Sequence, residues 1–213
     1  MEKVKVFNLI ILDESGSMSS IIEPAVYGLN ETVQTIRKAQ ETHKNEQEHF
    51  VTLIVFNSNS TRTIFDNDPI YNVKEINFSD YRPNACTPLY DAMGLSLTRL
   101  KYQLSETEKS QVLVTIITDG YENASKEYNG KMIKKLVAEL KNQDWVFVYI
   151  GANQDVEAVA ESMEIDNSLL FSADSDGTRD MMKKTHSARS SFYRKISEKL
   201  YNDNVDLKTN FFE

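Results

Sequence analysis

Residues 4–17 read VKVFNLIILDESGS, an apolar run that leads directly into a turn of oxygen-bearing side chains. The first nine residues are rich in Val, Ile, Leu and Phe, which predicts a buried β-strand. The run ends at Asp13, and two hydroxyl side chains, Ser15 and Ser17, follow at alternate positions. Gly16 between them lets the backbone bend without a Cβ clash, so that both hydroxyls can point to one place. Such oxygens are hard ligands that suit Mg²⁺, Mn²⁺ or Ca²⁺, although an Asp-Ser turn is also ordinary loop chemistry.

Composition is that of an ordinary globular protein. The 213 residues are 40% hydrophobic and 26% charged, which suits one α/β domain over residues 1–213. Cys86 is the only cysteine, which excludes an internal disulfide and a metal site built from a cysteine cluster. No apolar run approaches the ~20 residues that span a bilayer, and the first strand begins at residue 4. We therefore expect no membrane span, no signal peptide and a cytoplasmic location.

The charge balance indicates no nucleic-acid partner. The net charge is −8, whereas proteins that bind nucleic acids present clustered Lys and Arg. Basic residues gather only in the stretch 179–199, where acidic and polar residues are interleaved with them. We interpret that stretch as the solvated face of a helix.

Apolar periodicity predicts strands that alternate with helices. Such a pattern is typical of a doubly wound, Rossmann-like α/β fold, in which helices cover both faces of a mostly parallel sheet. A hairpin at 57–60 makes the third strand an antiparallel edge strand. The predicted elements are strand 4–12, a helix from residue 20 or 23 to 36, a surface connection at 40–48, strands 50–56 and 61–65, an irregular segment at 66–83, helix 89–104, strand 111–118, helix 132–140, strand 145–150, a helix capped by Asn153 and ending at 163, strand 168–172, and helix 174–201.

Three of these segments carry oxygen ligands to one edge of the predicted sheet. In an open α/β sheet, ligands bind outside the carboxyl ends of the strands. Residues 13–17, Thr87 and Asp119 all reach that edge. Each has an alternative explanation, since Thr87 followed by Pro88 is also a helix cap and Asp119 is also a turn residue. Their convergence favours a metal site.

The motifs DESGS at 13–17, TPLYDA at 87–92 and TDG at 118–120 resemble the metal-ion-dependent adhesion site (MIDAS) of the von Willebrand factor A (vWA) family, in its stand-alone bacterial form. The resemblance implies the strand order 3-2-1-4-5-6 and a bound Mg²⁺, or Mn²⁺ or Ca²⁺. Hydroxyl ligands would then be Ser15, Ser17 and Thr87, the last direct or through water. The carboxylates of Asp13 and Asp119 would lie behind them, mostly through water.

The residues just before Thr87 depart from that pattern. Many relatives have glycines there, whereas this chain has Asn84-Ala85-Cys86. We therefore expect a stiffer loop. The thiol of Cys86 is interpreted either as a redox sensor beside the site or as a small buried filler.

These residues indicate a module that binds a partner protein. A cation held by neutral hydroxyls keeps a coordination position open to solvent, and an Asp or Glu of the partner would fill it. Position alone suggests which residues surround this opening. The expected rim consists of Glu14, Met18, Ser19, Tyr90, Tyr121, Glu122, Asn123 and Asn153.

Two other functions stay open at the level of sequence. The first is a Mg²⁺-dependent hydrolase or phosphatase with Asp13 or Ser15 as nucleophile and Glu14 or Asp91 as base. No Walker loop or nucleophile elbow supports it, and none of the three histidines is predicted at the carboxyl ends of the strands. The second is a domain with a degenerate site that makes structural contacts only.

Overall fold

Six strands form one sheet in the computed structural model, which describes residues 2–152, 155–208 and 210–212. Their order is β3-β2-β1-β4-β5-β6, and only β3, paired with β2, is antiparallel. The predicted strand order and the antiparallel edge are thus confirmed. The strands are β1 (Val4–Asp13), β2 (Gln47–Asn57), β3 (Ser60–Pro69), β4 (Ser110–Thr118), β5 (Trp145–Gly151) and β6 (Asn167–Leu170).

Helices cover both faces of the sheet, and each face has its own apolar core. One face packs against α1 and α5, and the other against α2, α3 and α4. Within the described residues, no helix is long and apolar enough to cross a membrane. The helices are α1 (Ile22–Thr42), α2 (Leu89–Gln103), α3 (Gly130–Lys141), α4 (Val156–Ser162) and α5 (Ser175–Lys199), and a short 3-10 helix (Gly16–Ile21) precedes α1.

The central position of β1 follows from its sequence. Its residues from Val6 to Asp13 are all buried, since parallel strands β2 and β4 flank it and helices cover both of its faces. A strand in that environment needs a continuous apolar run rather than an alternating one. β1 therefore delivers Asp13 to the middle of the carboxyl edge of the sheet.

The predicted surface connection at 40–48 is exposed or half-buried over residues 41–46, but it is shorter than predicted and Gln40 and Gln47 at its two ends are buried. Helix α1 continues to Thr42 and β2 begins at Gln47. Gln40 is buried, and its amide donates to the Gln47 carbonyl while its oxygen accepts the His49 N–H. The Gln40 side chain thus supplies hydrogen-bond partners to the backbone of β2 next to the turn. Its polarity therefore does not indicate exposure.

The predicted start of the irregular segment and the possible role of Thr87 as a helix cap also differ from the structure. Strand β3 extends to Pro69, beyond the predicted end at residue 65, because a proline is tolerated at the end of an edge strand. Helix α2 begins at Leu89, and the Thr87 side chain makes no capping hydrogen bond to it.

Three further predictions, for α4, α5 and β6, differ from the structure. Asp155 caps α4 by accepting the Ala158 N–H, and the predicted cap Asn153 lies outside the described residues. Helix α5 is not solvated along its whole basic stretch, since Arg189 is only 1% exposed. Strand β6 ends at Leu170, two residues before the predicted end.

Candidate metal centre

Asp13 is the buried centre of the candidate site. As the last residue of β1 it is 0% exposed, and both of its carboxylate oxygens accept hydrogen bonds. The Ser15 N–H donates to Oδ1 at 2.7 Å, and the Thr118 hydroxyl donates to Oδ2 at 2.7 Å. Tyr81 donates its hydroxyl to the Asp13 carbonyl at 2.7 Å. Asp13 therefore fixes the turn that follows it and ties β1 to β4.

The two serine hydroxyls meet Asp119 beside this carboxylate. Ser15 Oγ and Ser17 Oγ lie 3.1 Å apart, and the Ser17 hydroxyl donates to Asp119 Oδ1 at 2.5 Å. A hydroxyl that gives its proton to a carboxylate keeps its lone pairs for another partner. This arrangement can present neutral oxygen ligands to a hard cation.

Gly16 matters for this turn because it is small, and not because its backbone conformation is unusual. No glycine among the described residues has a positive φ. A Cβ on Gly16 would lie 3.4 Å from the Ala85 carbonyl oxygen, which accepts the Gly16 N–H at 3.0 Å. The glycine therefore allows the loop before Thr87 to approach the serine turn closely.

Thr87 is held by its backbone, whereas its hydroxyl is left free within the described part of the chain. The Thr87 N–H donates to Asn123 Oδ1 at 2.8 Å, and the Asn123 N–H donates to the Thr87 carbonyl at 3.1 Å. No described residue forms a hydrogen bond with the Thr87 hydroxyl, although the residue is buried. A hydroxyl that no protein group engages, on a residue fixed by its backbone, fits a ligand position.

Gly120 leaves an open space beside the hydroxyls of Thr87 and Ser17. A Cβ built on Gly120 would lie 3.5 Å from Thr87 Oγ1 and 3.7 Å from Ser17 Oγ. Both oxygens therefore border one gap, which exists because residue 120 has no side chain. The donor set around the gap is oxygen only, as Mg²⁺ and similar ions require.

The two carboxylates of the site repel each other in the absence of a cation. Burial raises the pKa of Asp13 from 3.8 to about 6, with the charge of Asp119 adding to the rise and the Thr118 and Ser15 hydrogen bonds opposing it. Burial likewise raises the pKa of Asp119. A divalent cation would relieve both effects, because it supplies the missing positive charge.

Thr87 and Asp119 are further joined by a network between α2 and the loop after β4. Glu122 accepts the Tyr90 N–H at the start of α2 and also the N–H groups of Ala124 and Ser125. Asp91 accepts three N–H groups from the same loop. This reciprocal bonding holds the two ligand-bearing segments in a fixed relation.

The structure divides the expected rim residues into two groups. Glu14 and Met18 are buried, 1% and 0% exposed, and so lie outside the exposed rim. Glu14 instead pairs with Arg62 at 2.6 Å and accepts the Arg82 N–H. The other described rim residues are exposed or half-buried, namely Ser19, Tyr90, Tyr121, Glu122 and Asn123, and of these Tyr121 is 56% exposed. Asn153 lies outside the described residues.

The loop before Thr87 is strained. Ala85 has φ 63°, in the left-handed region that favours glycine, which costs roughly 1 kcal/mol for an alanine. Cys86 is exposed, so it is not a buried filler. Its N–H and carbonyl both bond to Ser58 in the β2–β3 turn, which ties the loop to the edge hairpin.

Sequence reasoning missed three supports of the site: Thr118, Tyr81 and the backbone role of Asn123. Thr118 stands directly before Asp119 at the end of a strand, and that position was a usable signal. Tyr81 lies in a segment without periodicity, and nothing local indicates its contact with Asp13. The described residues include no group of three or more His, Cys, Asp or Glu that could hold a metal, so hydroxyls are essential to the candidate site.

Comparisons with known proteins find similarity at the level of structure alone. No family model matches the chain, and no curated protein matches it. A mussel byssus protein, proximal thread matrix protein 1 with a zinc-occupied MIDAS motif, is 14% identical with a TM-score of 0.55, and the match covers 88% of this chain and 46% of that one. The manganese-loaded TRAP protein of Plasmodium vivax is 16% identical with a TM-score of 0.52, covering 82% and 70%.

A third solved structure decides the fold. The VWA domain of SpRpn10 is 12% identical with a TM-score of 0.51, and the match covers 84% of this chain and 93% of that domain. The chain has a vWA fold. It spans about half the length of the mussel protein, so the larger protein's assembly does not transfer to it. In this vWA fold, the DESGS, TPLYDA and TDG motifs lie at the carboxyl edge of the sheet.

The open space at Gly120 gives a first testable prediction. We expect Gly120→Ala to weaken Mg²⁺ binding by about tenfold, since the new methyl group would contact the hydroxyls of both Thr87 and Ser17. The free energy of unfolding should change by less than about 1 kcal/mol, because the contacts are ordinary and φ is not positive. Calorimetric titration and urea unfolding measure the two effects. Gly130→Ala, whose Cβ would meet only Tyr90, is the control and should bind Mg²⁺ normally.

Proposed function

We propose that the chain is a protein-binding module that recruits an acidic side chain of its partner through a divalent cation, Mg²⁺ foremost. Hydroxyl ligands would be Ser15, Ser17 and Thr87. Asp13 and Asp119 would hold these hydroxyls and the bound waters in place. The observation that carries the proposal is the unpartnered Thr87 hydroxyl, which shares a gap with the Ser17 hydroxyl beside two carboxylates of raised pKa.

The solved neighbours support a divalent cation and an interaction role in general terms. One has a zinc-occupied MIDAS motif and another is loaded with manganese. At such low sequence identity the similarity shows the fold alone. The choice of Mg²⁺ therefore rests on the hard oxygen donors of this chain. The cytoplasmic location, the single domain over residues 1–213 and the stand-alone bacterial type stay predictions from the sequence.

Charge supports an acidic rather than a basic group of the partner at the cation. The three proposed direct ligands are neutral, so a bound divalent ion keeps much of its charge toward solvent. A partner Asp or Glu would complete the coordination sphere. Tyr121, exposed next to Gly120, is the foremost candidate for contact with the partner around that carboxylate.

Catalysis is the weaker proposal because the histidines lie elsewhere and the two bases expected from the sequence, Glu14 and Asp91, are engaged by other groups. All three histidines lie away from the carboxyl edge: His49 pairs with Val6 at the start of β1, His43 bonds to Ser197, and His186 bonds to Thr35. Glu14 is committed to Arg62, and Asp91 to three backbone N–H groups. Neither is free to accept a proton at the site.

A peptide selection tests the proposed function without a known partner. A phage-displayed random peptide library is selected against the protein in Mg²⁺, and the clones are eluted with EDTA. We expect enriched peptides to contain an Asp or Glu whose replacement by Asn or Gln abolishes binding. Binding that persists in EDTA, or that needs no acidic residue, would contradict the proposed function.

A further inference from the structure

A cleft of about 540 Å³ opens directly onto the candidate metal centre. Its near wall contains Ser17 and Asp119, two residues of the proposed site, together with Ser20. Its far wall is the connection from β6 to α5, with Leu170, Ala173 and Asp174. A chain that placed a carboxylate at the cation would therefore have its neighbouring residues against this connection.

The far wall combines one exposed apolar side chain with a negative charge. Leu170 is 64% exposed, although it stands next to the buried Phe171. Asp174 is exposed and caps α5 through the Gly177 N–H, and it forms no ion pair with any described residue. The described residues that line the cleft include no Lys or Arg, and among them Asp174 carries the one charge besides that of Asp119.

We propose that this cleft binds a peptide segment of a partner protein and recognises the residues that flank its metal-bound carboxylate. The segment carries an Asp or Glu for the cation, an apolar side chain against Leu170 and Ala173, and a Lys or Arg facing Asp174. Two observations support this occupant: the cleft is continuous with the metal centre, and its charge complements a basic side chain. The inference rests on the proposed function and adds sequence specificity to it.

The test uses a peptide from the Mg²⁺-dependent selection, labelled with fluorescein and titrated with the full chain in Mg²⁺. We expect Leu170→Ser to weaken binding by about tenfold, since an exposed leucine would lose its apolar partner. The matched control is Leu95→Ser, which alters an exposed leucine of α2 outside the cleft and should leave the affinity unchanged.

Asp174→Asn tests the basic residue separately. Asparagine caps a helix as well as aspartate does, so α5 keeps its cap while the charge is removed. We expect binding to fall by about twofold to fivefold for the peptide with its Lys or Arg, and not for the same peptide with Gln there. Equal affinity of wild type and Leu170→Ser, with Mg²⁺ dependence intact, would overturn the cleft and leave the proposed function standing. Loss of Mg²⁺ dependence in the wild type would instead overturn the proposed function.

Discussion

Replacement of Asp13 by asparagine should abolish useful metal binding and at the same time stabilise the metal-free protein. The variant loses the charge that holds the hydroxyl ligands and waters in place, and we expect Mg²⁺ affinity to fall about 10- to 100-fold. The neutral amide keeps the local hydrogen bonds: its oxygen can accept the Ser15 N–H, and its NH₂ can donate to Thr118. The Thr118 hydroxyl in turn can donate to the Gly120 carbonyl, 3.1 Å away.

The sign of the stability change follows from the pKa of Asp13. Burial raises that pKa from 3.8 to about 6 in the folded protein. The group therefore favours folding most below pH 3.8, and this contribution is lost as pH rises through 6. Above pH 7 the buried charge costs about 3 kcal/mol, and we expect Asp13→Asn to recover about 1–3 kcal/mol in EDTA.

Urea unfolding in EDTA and in Mg²⁺ at pH 7.5 measures both effects on one sample. Wild type should gain stability from Mg²⁺ by mass action, whereas Asp13→Asn should not. Asp203→Asn, which removes the charge of an exposed carboxylate in the turn after α5, is the control and should keep the Mg²⁺ effect. A variant that is stabilised by Mg²⁺ as strongly as wild type would remove Asp13 from the metal site.

The central part of the fold was predictable because it depends on burial over long segments. β1 and β4 are buried on both faces, so their apolar runs are continuous and end at the residues that carry the candidate site. The Asn57 turn likewise predicted an antiparallel edge strand, because two strands flank a two-residue turn there. These signals are local in sequence and need no knowledge of distant contacts.

Polar residues that satisfy each other over long distances were not predictable. Gln40 and Gln47 belong to a polar stretch, yet both are buried, because Gln47 donates to the Tyr193 carbonyl and the Ser197 hydroxyl of α5. Arg189 is buried without a carboxylate partner in the described residues and donates to the Thr115 hydroxyl at 2.6 Å. Periodicity cannot reveal such a network, since each partner lies far away in the sequence.

The candidate site shows the same contrast between predictable and unpredictable residues. Its ligand residues are recognisable because they follow strands in short motifs. Their supports are not: Asn123 holds Thr87 from 36 residues away, and Glu14, which the motif places at the surface, is buried against Arg62. Sequence therefore indicates the chemistry of the site but not which charges are free for a partner.

His49 is a buried group whose titration should by itself destabilise the fold in acid. It lies in β2, with its Nε2 at 3.0 Å from Gln47 Oε1 and its ring against the edge of Tyr193. Because the Gln47 oxygen only accepts, Nε2 carries the proton and Nδ1 is left without a partner. Burial, with the nearby His43 adding to it, lowers the pKa of His49 from 6.5 to about 3.

The lowered pKa means that acid favours the unfolded chain. The stability that this histidine contributes is fully present above pH 6.5 and is lost as pH falls toward 3, at about 1.4 kcal/mol per pH unit. Asp13 acts in the opposite direction between pH 6 and 3.8. We therefore expect the two groups largely to cancel in wild type, so that Asp13→Asn makes stability fall more steeply with acid.

His49→Gln isolates the histidine, since a glutamine amide can still donate to Gln47 and does not titrate. Urea unfolding in EDTA between pH 7.5 and 4.5 should show the variant gaining about 2–3 kcal/mol relative to wild type as pH falls, whatever its loss of stability at pH 7.5. The control is His186→Gln, which removes an exposed histidine and should follow the wild-type profile. Parallel profiles for wild type and His49→Gln would mean that His49 takes up its proton in the folded state as readily as in the unfolded chain. The buried network between β2 and α5 would then have to open to water, because a charged imidazole without an acceptor at Nδ1 is not stable in a dry interior.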